Sequence, residues 1–336
     1  MVRGVLKHRE AFRDALVNWF DRWGKDYPWR RTRDPYAVLV SEVMLQQTQI
    51  ATVLGKGYFT GFLRAFPDLE ALAAAGDETL LKAWEGLGYY RRVRMLRETA
   101  RAVIARHGGV FPMRLEELLA LPGIGRYTAG AVRAFAFEEP CAVVDGNVAR
   151  VLARLMDFQK PVDDAGGQRR LWEWAEALAD PARPRQYHSA LMELGQTICR
   201  PGAPNCDECP VAKFCKAKDP LKLPVKRSPP AITEVTEHAL WCRDRAGRLL
   251  LHCEDGRRRT GMWKLPTRDA EVVADLPVLT SLRYSITRYR VDLQVHDGAR
   301  NQPAGDGEQW VPVVELARLP MPSPFRKVVE KLLEKS

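Results

Sequence analysis

The sequence predicts two domains of different class: an all-α domain over residues 1–218 and a smaller α+β domain over 235–336, joined by a linker at 219–234. Three observations carry this. Up to Cys215 the apolar residues recur at helical spacing, with few strand signals. The tract 216–233, KAKDPLKLPVKRSPPAIT, is rich in proline and lysine and keeps no period, as an extended, semi-rigid connector does. Beyond it, Tyr289, Val291, Leu293 and Val295 alternate with polar residues at period two. A chain of 336 residues, 46% hydrophobic and 28% charged, can bury two cores and lies outside the disordered and fibrous classes.

Taken in order, the first helix is expected at 8–23. The second starts at Asp34-Pro35, an N-cap followed by proline at the first helical position, and its stripe of Tyr36, Leu39, Val40, Val43 and Met44 faces the core. Glu42 lies off that stripe with Leu45, Gln46 and Gln49, so its helical face is expected to be polar. Were the helix to run on, Gln47 would sit on the buried stripe and need partners for its amide; the helix is expected to end near it, leaving Gln47 for a ligand. Further helices are expected at 68–75, 77–85, 90–107, 114–121, 126–137, 146–156, 167–179 and 184–198. The second domain should hold strands at 235–242 and 249–252 around a turn at 244–247, a strand carrying Arg288 and Arg290 on one face, and a last helix at 322–334.

Lysine and arginine number 52 against 42 aspartates and glutamates, a net charge of +10 that points to a polyanionic partner such as nucleic acid. Charges interrupt every apolar stretch before the roughly 18 residues that a membrane span requires, and the N-terminal residues lack the apolar core of a signal peptide. Four of the seven cysteines fall at Cys199-x6-Cys206-x2-Cys209-x5-Cys215, which is metal-site clustering in a reducing compartment; a cytoplasmic protein is expected. Four thiolates so spaced can wrap a cubane iron–sulfur cluster. Structural zinc usually takes two close pairs, here only Cys206 and Cys209, and spacing alone leaves the two about even.

Four other segments carry chemistry. Leu121-Pro122-Gly123-Ile124-Gly125 lies between two helical patterns, where Gly123 and Gly125 let backbone N–H groups turn toward a phosphate at a helix start. Asp145, in Val143-Val144-Asp145-Gly146-Asn147, is placed to cap the next helix, and an ionised carboxylate there can stabilise a developing cation. Gly86-Leu87-Gly88-Tyr89-Tyr90-Arg91-Arg92 combines a flexible turn with aromatics and cations suited to stacking on bases and holding phosphates. Glu42, in SEVMLQQTQ, is the second carboxylate.

Together, a helix–hairpin–helix LPGIG, an aspartate twenty residues on and the four-cysteine cluster resemble the endonuclease III superfamily of DNA glycosylases. Within it, SEVMLQQTQ, GLGYY and VDGNV resemble the MutY family of adenine DNA glycosylases, from about Trp19 to Cys215. The C-terminal part resembles that family's Nudix-like lesion-recognition domain more weakly, by position and strand pattern. The resemblance implies a monofunctional base excision repair enzyme, a monomer associated with the nucleoid, that hydrolyses the glycosidic bond of adenine mispaired with 8-oxoguanine or guanine in double-stranded DNA, and a [4Fe–4S] cluster on Cys199, Cys206, Cys209 and Cys215. By motif, Glu42 would be the general acid and then the base for water, and Asp145 would stabilise the sugar cation or capture it covalently. Trp29, Arg30, Leu45, Tyr127 and Asn147 would line the adenine pocket; Gln47 and Tyr89 would enter the base stack; Gly123, Gly125, Arg91, Thr287 and Arg288 would contact DNA. The alternatives are a mismatch thymine or uracil glycosylase of the same superfamily and a non-catalytic lesion-binding protein.

The sequence departs from the family in three places. Tyr127 stands where bifunctional relatives carry a lysine nucleophile, and a phenol cannot form a Schiff base. Ser189 stands where MutY relatives often carry glutamine or glutamate against adenine. Ile286-Thr287-Arg288 stands at the family's Phe-Ser-His triplet and keeps only a hydroxyl.

Overall fold

The computed structural model describes residues 6–256, 259–300 and 302–335. Contacts group the chain into two compact units, Met1–Gln47 with Thr99–Ser228 and Thr48–Glu98 with Pro229–Ser336, so a helical segment from the first half packs with the C-terminal strands.

The helices are α1 (Arg9–Trp23), α2 (Pro35–Leu45), α3 (Ile50–Gly55), α4 (Tyr58–Ala65), α5 (Leu69–Ala74), α6 (Asp77–Ala83), α7 (Arg91–His107), α8 (Leu115–Leu119), α9 (Arg126–Ala136), α10 (Gly146–Leu155), α11 (Ala165–Leu178) and α12 (Pro184–Thr197). Helix α2 begins as its sequence dictates: the Asp34 carboxylate accepts from the N–H groups of Tyr36 and Ala37, with Pro35 at the first helical position. Its polar face, however, does not exist. Every residue from Tyr36 to Met44 is buried, Glu42 included, and α9 is among the elements packed on it.

In the first unit one core joins α1, α10, α11 and α12 through Phe12, Leu16, Leu152, Leu171, Tyr187 and Leu191. Helices α8 and α9 with their hairpin form the helix–hairpin–helix. Gly123 there has φ +79°, a conformation that costs glycine little. The N-cap of α9 is Gly125, with no side-chain cap, which leaves the first N–H groups of the helix for another acceptor. Gly130 in the same helix lets it approach the chain that delivers Asp145, since a Cβ would lie 2.4 Å from the Ala142 carbonyl oxygen. The first part of the connector is strapped to this unit: Arg154 Nε donates to Leu223 O at 3.0 Å and Val162 N–H to Val225 O at 2.9 Å.

The second unit adds β1 (Thr233–Trp241), β2 (Leu249–Cys253), β3 (Trp263–Lys264), β4 (Thr267–Arg268), β5 (Val278–Ile286), β6 (Tyr289–Asp297), β7 (Glu308–Val311) and helix α13 (Ser323–Leu333). One sheet has the order β4-β1-β6-β5 and the other β3-β2-β7; β1 and β6 run parallel and the other pairs antiparallel. Helix α13 packs against β5, and Phe325, Val328 and Val329 meet Leu249, Leu293 and Val295 in the core. The expected single strand through Arg288 and Arg290 is broken: β5 and β6 form a hairpin with Thr287 and Arg288 as its two-residue loop. Among the described residues no helix is long and apolar enough to cross a membrane.

Candidate active site

Packing of α2 on α9 brings Glu42 to Tyr127, whose hydroxyl donates to Glu42 Oε2. Glu42 is 6% exposed. Burial pushes its carboxyl from the usual 4.5 to about 7; the Tyr127 hydrogen bond and the Arg30 charge pull it down, and the negative charge of Asp145 adds to the rise. A carboxyl protonated in part at neutral pH is a competent proton donor. Burial and the two carboxylates raise the Tyr127 phenol well above its ordinary value, so it remains a donor.

Asp145 is the N-cap of α10. Its Oδ1 accepts from Val148 N–H at 2.7 Å and its Oδ2 from Asn147 Nδ2 at 2.9 Å. Burial raises this carboxyl too, and those donors oppose the rise. Asn147 is held in turn by the buried Arg150, whose Nη2 donates to Asn147 Oδ1 at 2.8 Å and to Gly195 O at 2.7 Å, and whose Nε donates to Cys199 O at 2.8 Å. Gly195 permits this crossing, because a Cβ there would fall 2.7 Å from Asn147 Cβ. Glu42 and Asp145 are thus two buried carboxyls in electrostatic contact, one raised toward neutral pH and one accepting two hydrogen bonds.

Trp29 is buried and stacks on Tyr27, ring centroids 5.1 Å apart. The Arg30 guanidinium lies over the rings of Tyr27 and Phe20, and its Nη1 pairs with Glu193 Oε2 at 2.8 Å. Glu193, 1% exposed, was not singled out by the sequence; its only signal there is an acid inside the apolar stripe of α12. Ser189, one turn before it, is buried, and Leu45 is half-buried at the end of α2.

Three of the residues expected to touch DNA share a backbone signature. Among the described residues, five other than glycine have positive φ, and three of these are Gln47 (56°), Tyr89 (47°) and Thr287 (54°). All three side chains are exposed, Tyr89 by 48%. Left-handed backbone is costly for a β-branched residue such as Thr287, which sits where two-residue hairpin loops favour glycine, and such strain concentrates at functional positions. Gly123, Gly125, Arg91 and Arg288 are exposed, and the Arg288 guanidinium rests over the Tyr289 ring at 5.2 Å.

Cys199, Cys206, Cys209 and Cys215 lie within electrostatic reach of one another, and burial with the other three thiols pushes Cys209 up to about 11. The buried Arg154 donates from Nη1 to Cys199 Sγ at 3.3 Å. Among the described residues no three cysteine, histidine or acidic side chains form a group that could hold a metal ion.

A family model described as HhH-GPD superfamily base excision DNA repair protein matches residues 40–177, which include Glu42, the hairpin and Asp145. A solved thermostable thymine-DNA glycosylase is 32% identical, with a TM-score of 0.57 over 62% of this chain and 95% of its own. The chain belongs to the HhH-GPD superfamily. This HhH-GPD chain is also similar to adenine DNA glycosylases, at 47% identity to that of Homo sapiens over 62% of this chain and 39% of the relative, and 43% to that of Mus musculus over 68% and 46%. It thus spans less than half the length of those relatives. A trapped endonuclease III–DNA covalent intermediate shares the HhH-GPD fold, at 24% identity and a TM-score of 0.52 over 62% of this chain and 95% of its own.

Proposed function

We propose that this protein is a monofunctional adenine DNA glycosylase that removes adenine opposite 8-oxoguanine or guanine in duplex DNA. The observation that carries the reading is the buried, proton-holding Glu42 beside Tyr127 and Asp145, in a chain similar over 62% of its length to an adenine DNA glycosylase. The target nucleotide must leave the stack for any carboxyl to reach it. Glu42 then delivers its proton to adenine N7, the glycosidic bond breaks, Asp145 stabilises the sugar cation, and Glu42 takes a proton from the attacking water. Trp29, Arg30, Leu45 and Asn147 shape the pocket, while Gln47 and Tyr89 fill the gap left in the stack. Tyr127 cannot attack the sugar as an amine, so excision leaves the strand unbroken.

The same reading assigns Cys199, Cys206, Cys209 and Cys215 to a [4Fe–4S] cluster. The four thiols lie near enough to influence one another, and four cysteine thiolates are the donor set of a cubane cluster. The cluster would supply a staple for the loop that carries the exposed Lys213, Lys216 and Lys218, and no step of the hydrolysis passes through it. Residues 235–336, with Thr287 and Arg288 at the hairpin tip, would read the base opposite the adenine, and the protein would act as a cytoplasmic, nucleoid-associated monomer.

Single-turnover excision from duplexes with A:8-oxoG, A:G, T:G and U:G pairs tests the reading. Adenine release from the first two, with the pyrimidine mispairs left intact, is expected. Faster release from T:G would replace it with the thymine glycosylase that the 32%-identical structure represents; binding without release of any base would leave a lesion-binding protein.

A further inference from the structure

The loop that presents Tyr89 is clamped from a distant part of the chain. It follows α6, with Glu85 at its entrance, and passes through Gly86 (φ 96°), Gly88 (φ 68°) and Tyr89 (φ 47°) before α7 begins. A Cβ at Gly86 would lie 2.0 Å from the Tyr58 hydroxyl, so a side chain there would have to displace that ring. The loop's far side is tied within the helical segment: Trp84 Nε1 donates to Gly88 O at 3.1 Å, and Arg92 Nη2 to Leu87 O at 3.0 Å. Its near side is tied by the C-terminal helix. Arg326, on α13, donates from Nε to Glu85 Oε1 at 2.8 Å and from Nη2 to Glu85 Oε2 at 3.4 Å. Its guanidinium is itself locked, Nη1 on Leu316 O at 2.8 Å and Nη2 on Leu319 O at 2.7 Å. Lys82 closes the cluster, with Nζ 2.5 Å from Glu85 Oε2. Both partners of the Arg326–Glu85 pair are largely buried, at 16% and 15% side-chain exposure, where a two-pronged arginine–carboxylate contact fixes direction as well as distance.

We propose that Arg326 is a positioning residue for Tyr89: through Glu85 it fixes the start of the strained loop, so the C-terminal domain sets how the tyrosine enters the base stack, whichever base lies opposite the adenine. A loop with consecutive left-handed residues keeps its shape only when its surroundings over-determine it, and Glu85 is the one charged anchor at its entrance among the described contacts. This is separate from reading the opposite base, which would act through the Thr287 hairpin and favour one mispair. It rests on the reading of Tyr89 as the residue that enters the stack.

The test is single-turnover excision from A:8-oxoG and A:G duplexes by the full chain carrying Arg326→Met, Glu85→Gln or Arg326→Lys, each with Tyr89 intact and in a Tyr89→Ala background. With Tyr89 intact, Arg326→Met and Glu85→Gln should slow both duplexes alike by roughly tenfold, inside the hundredfold that a 1 Å misplacement can cost, and Arg326→Lys should recover most of the rate. In the Tyr89→Ala background the same substitutions should add nothing. An equal loss in both backgrounds overturns the assignment, because Arg326 would then act on general stability. A loss for Arg326→Met but none for Glu85→Gln also overturns it, making the arginine a phosphate contact. Normal excision by Tyr89→Ala alone overturns the stacking role of Tyr89 and this assignment with it, an outcome that variant reports by itself.

Discussion

Replacing Glu42 by glutamine should make the protein more stable and inactive, and the gain should depend on pH in a direction the structure fixes. The carboxyl titrates at about 7 in the folded chain against 4.5 in its ordinary state, so the folded protein holds this proton more tightly than the unfolded one. The stability contribution is complete below 4.5 and is lost as the pH rises through 7. With 1.36 kcal/mol per unit, the buried carboxylate costs about 3 kcal/mol near pH 8 and under about 1 kcal/mol near pH 5. Glutamine keeps the shape and an oxygen for the Tyr127 hydroxyl but never ionises. Urea unfolding of both proteins across this range should show the variant ahead near pH 8 and the two nearly level near pH 5. Excision should fall at least about a hundredfold with the general acid removed. In the parent, the single-turnover rate should drop about fivefold between pH 7 and 8 as the protonated fraction falls from about half to about a tenth. A variant whose advantage stays constant with pH, or one that excises within tenfold of the parent, refutes the assignment of Glu42 as a buried proton donor.

Purified protein should be brown, with iron and acid-labile sulfide near four per chain if a cubane is bound; stoichiometric zinc in anaerobically prepared material would contradict the cluster. Asp145→Asn should lose most excision, since a neutral amide cannot stabilise the sugar cation; retained excision would move that role elsewhere. Borohydride should trap little enzyme–DNA complex, and robust trapping would mean that a lysine attacks the sugar. Thr287→Ala should slow excision from A:8-oxoG more than from A:G, and an unchanged ratio would remove Thr287 from reading the lesion. DNA affinity should fall steeply with added salt as counterion release requires, and a flat salt profile would exclude phosphate-dominated binding.

The parts of the fold legible in the sequence are those written by local chemistry. Asp34-Pro35 started α2 where the capping rules put it, Asp145 capped α10, and the stretch from 289 formed a strand of the expected alternation. Elements set by long-range packing were not legible. Helices α3 and α4 contain or adjoin Gly55, Gly57 and Gly61, which blur the helical period. Strands β3 and β4 are two residues each, too short to show alternation, and β5 exposes Ser281, Arg283 and Ser285 on one face while burying Thr280 on the other. Glu42 looked solvated because a helical wheel reveals a stripe but not whether other elements cover the opposite side. Glu193 showed only as an acid inside the apolar stripe of α12, and its meaning depends on Arg30, 163 residues away. The grouping of 48–98 with the C-terminal strands is likewise invisible to any window of sequence.

The left-handed backbone at Gln47, Tyr89 and Thr287 bears on how this protein would respond to selection. Each costs on the order of 1 kcal/mol or more that glycine would not incur. A library screened for heat resistance alone should therefore drift toward glycine or asparagine at these three positions, surrendering an amide, a phenol and a hydroxyl one by one. A library screened for suppression of mutations in growing cells should hold them. Divergence between the two populations at 47, 89 and 287, against a shared background elsewhere, would test position by position whether each strained residue is kept for function, without a complex ever being solved.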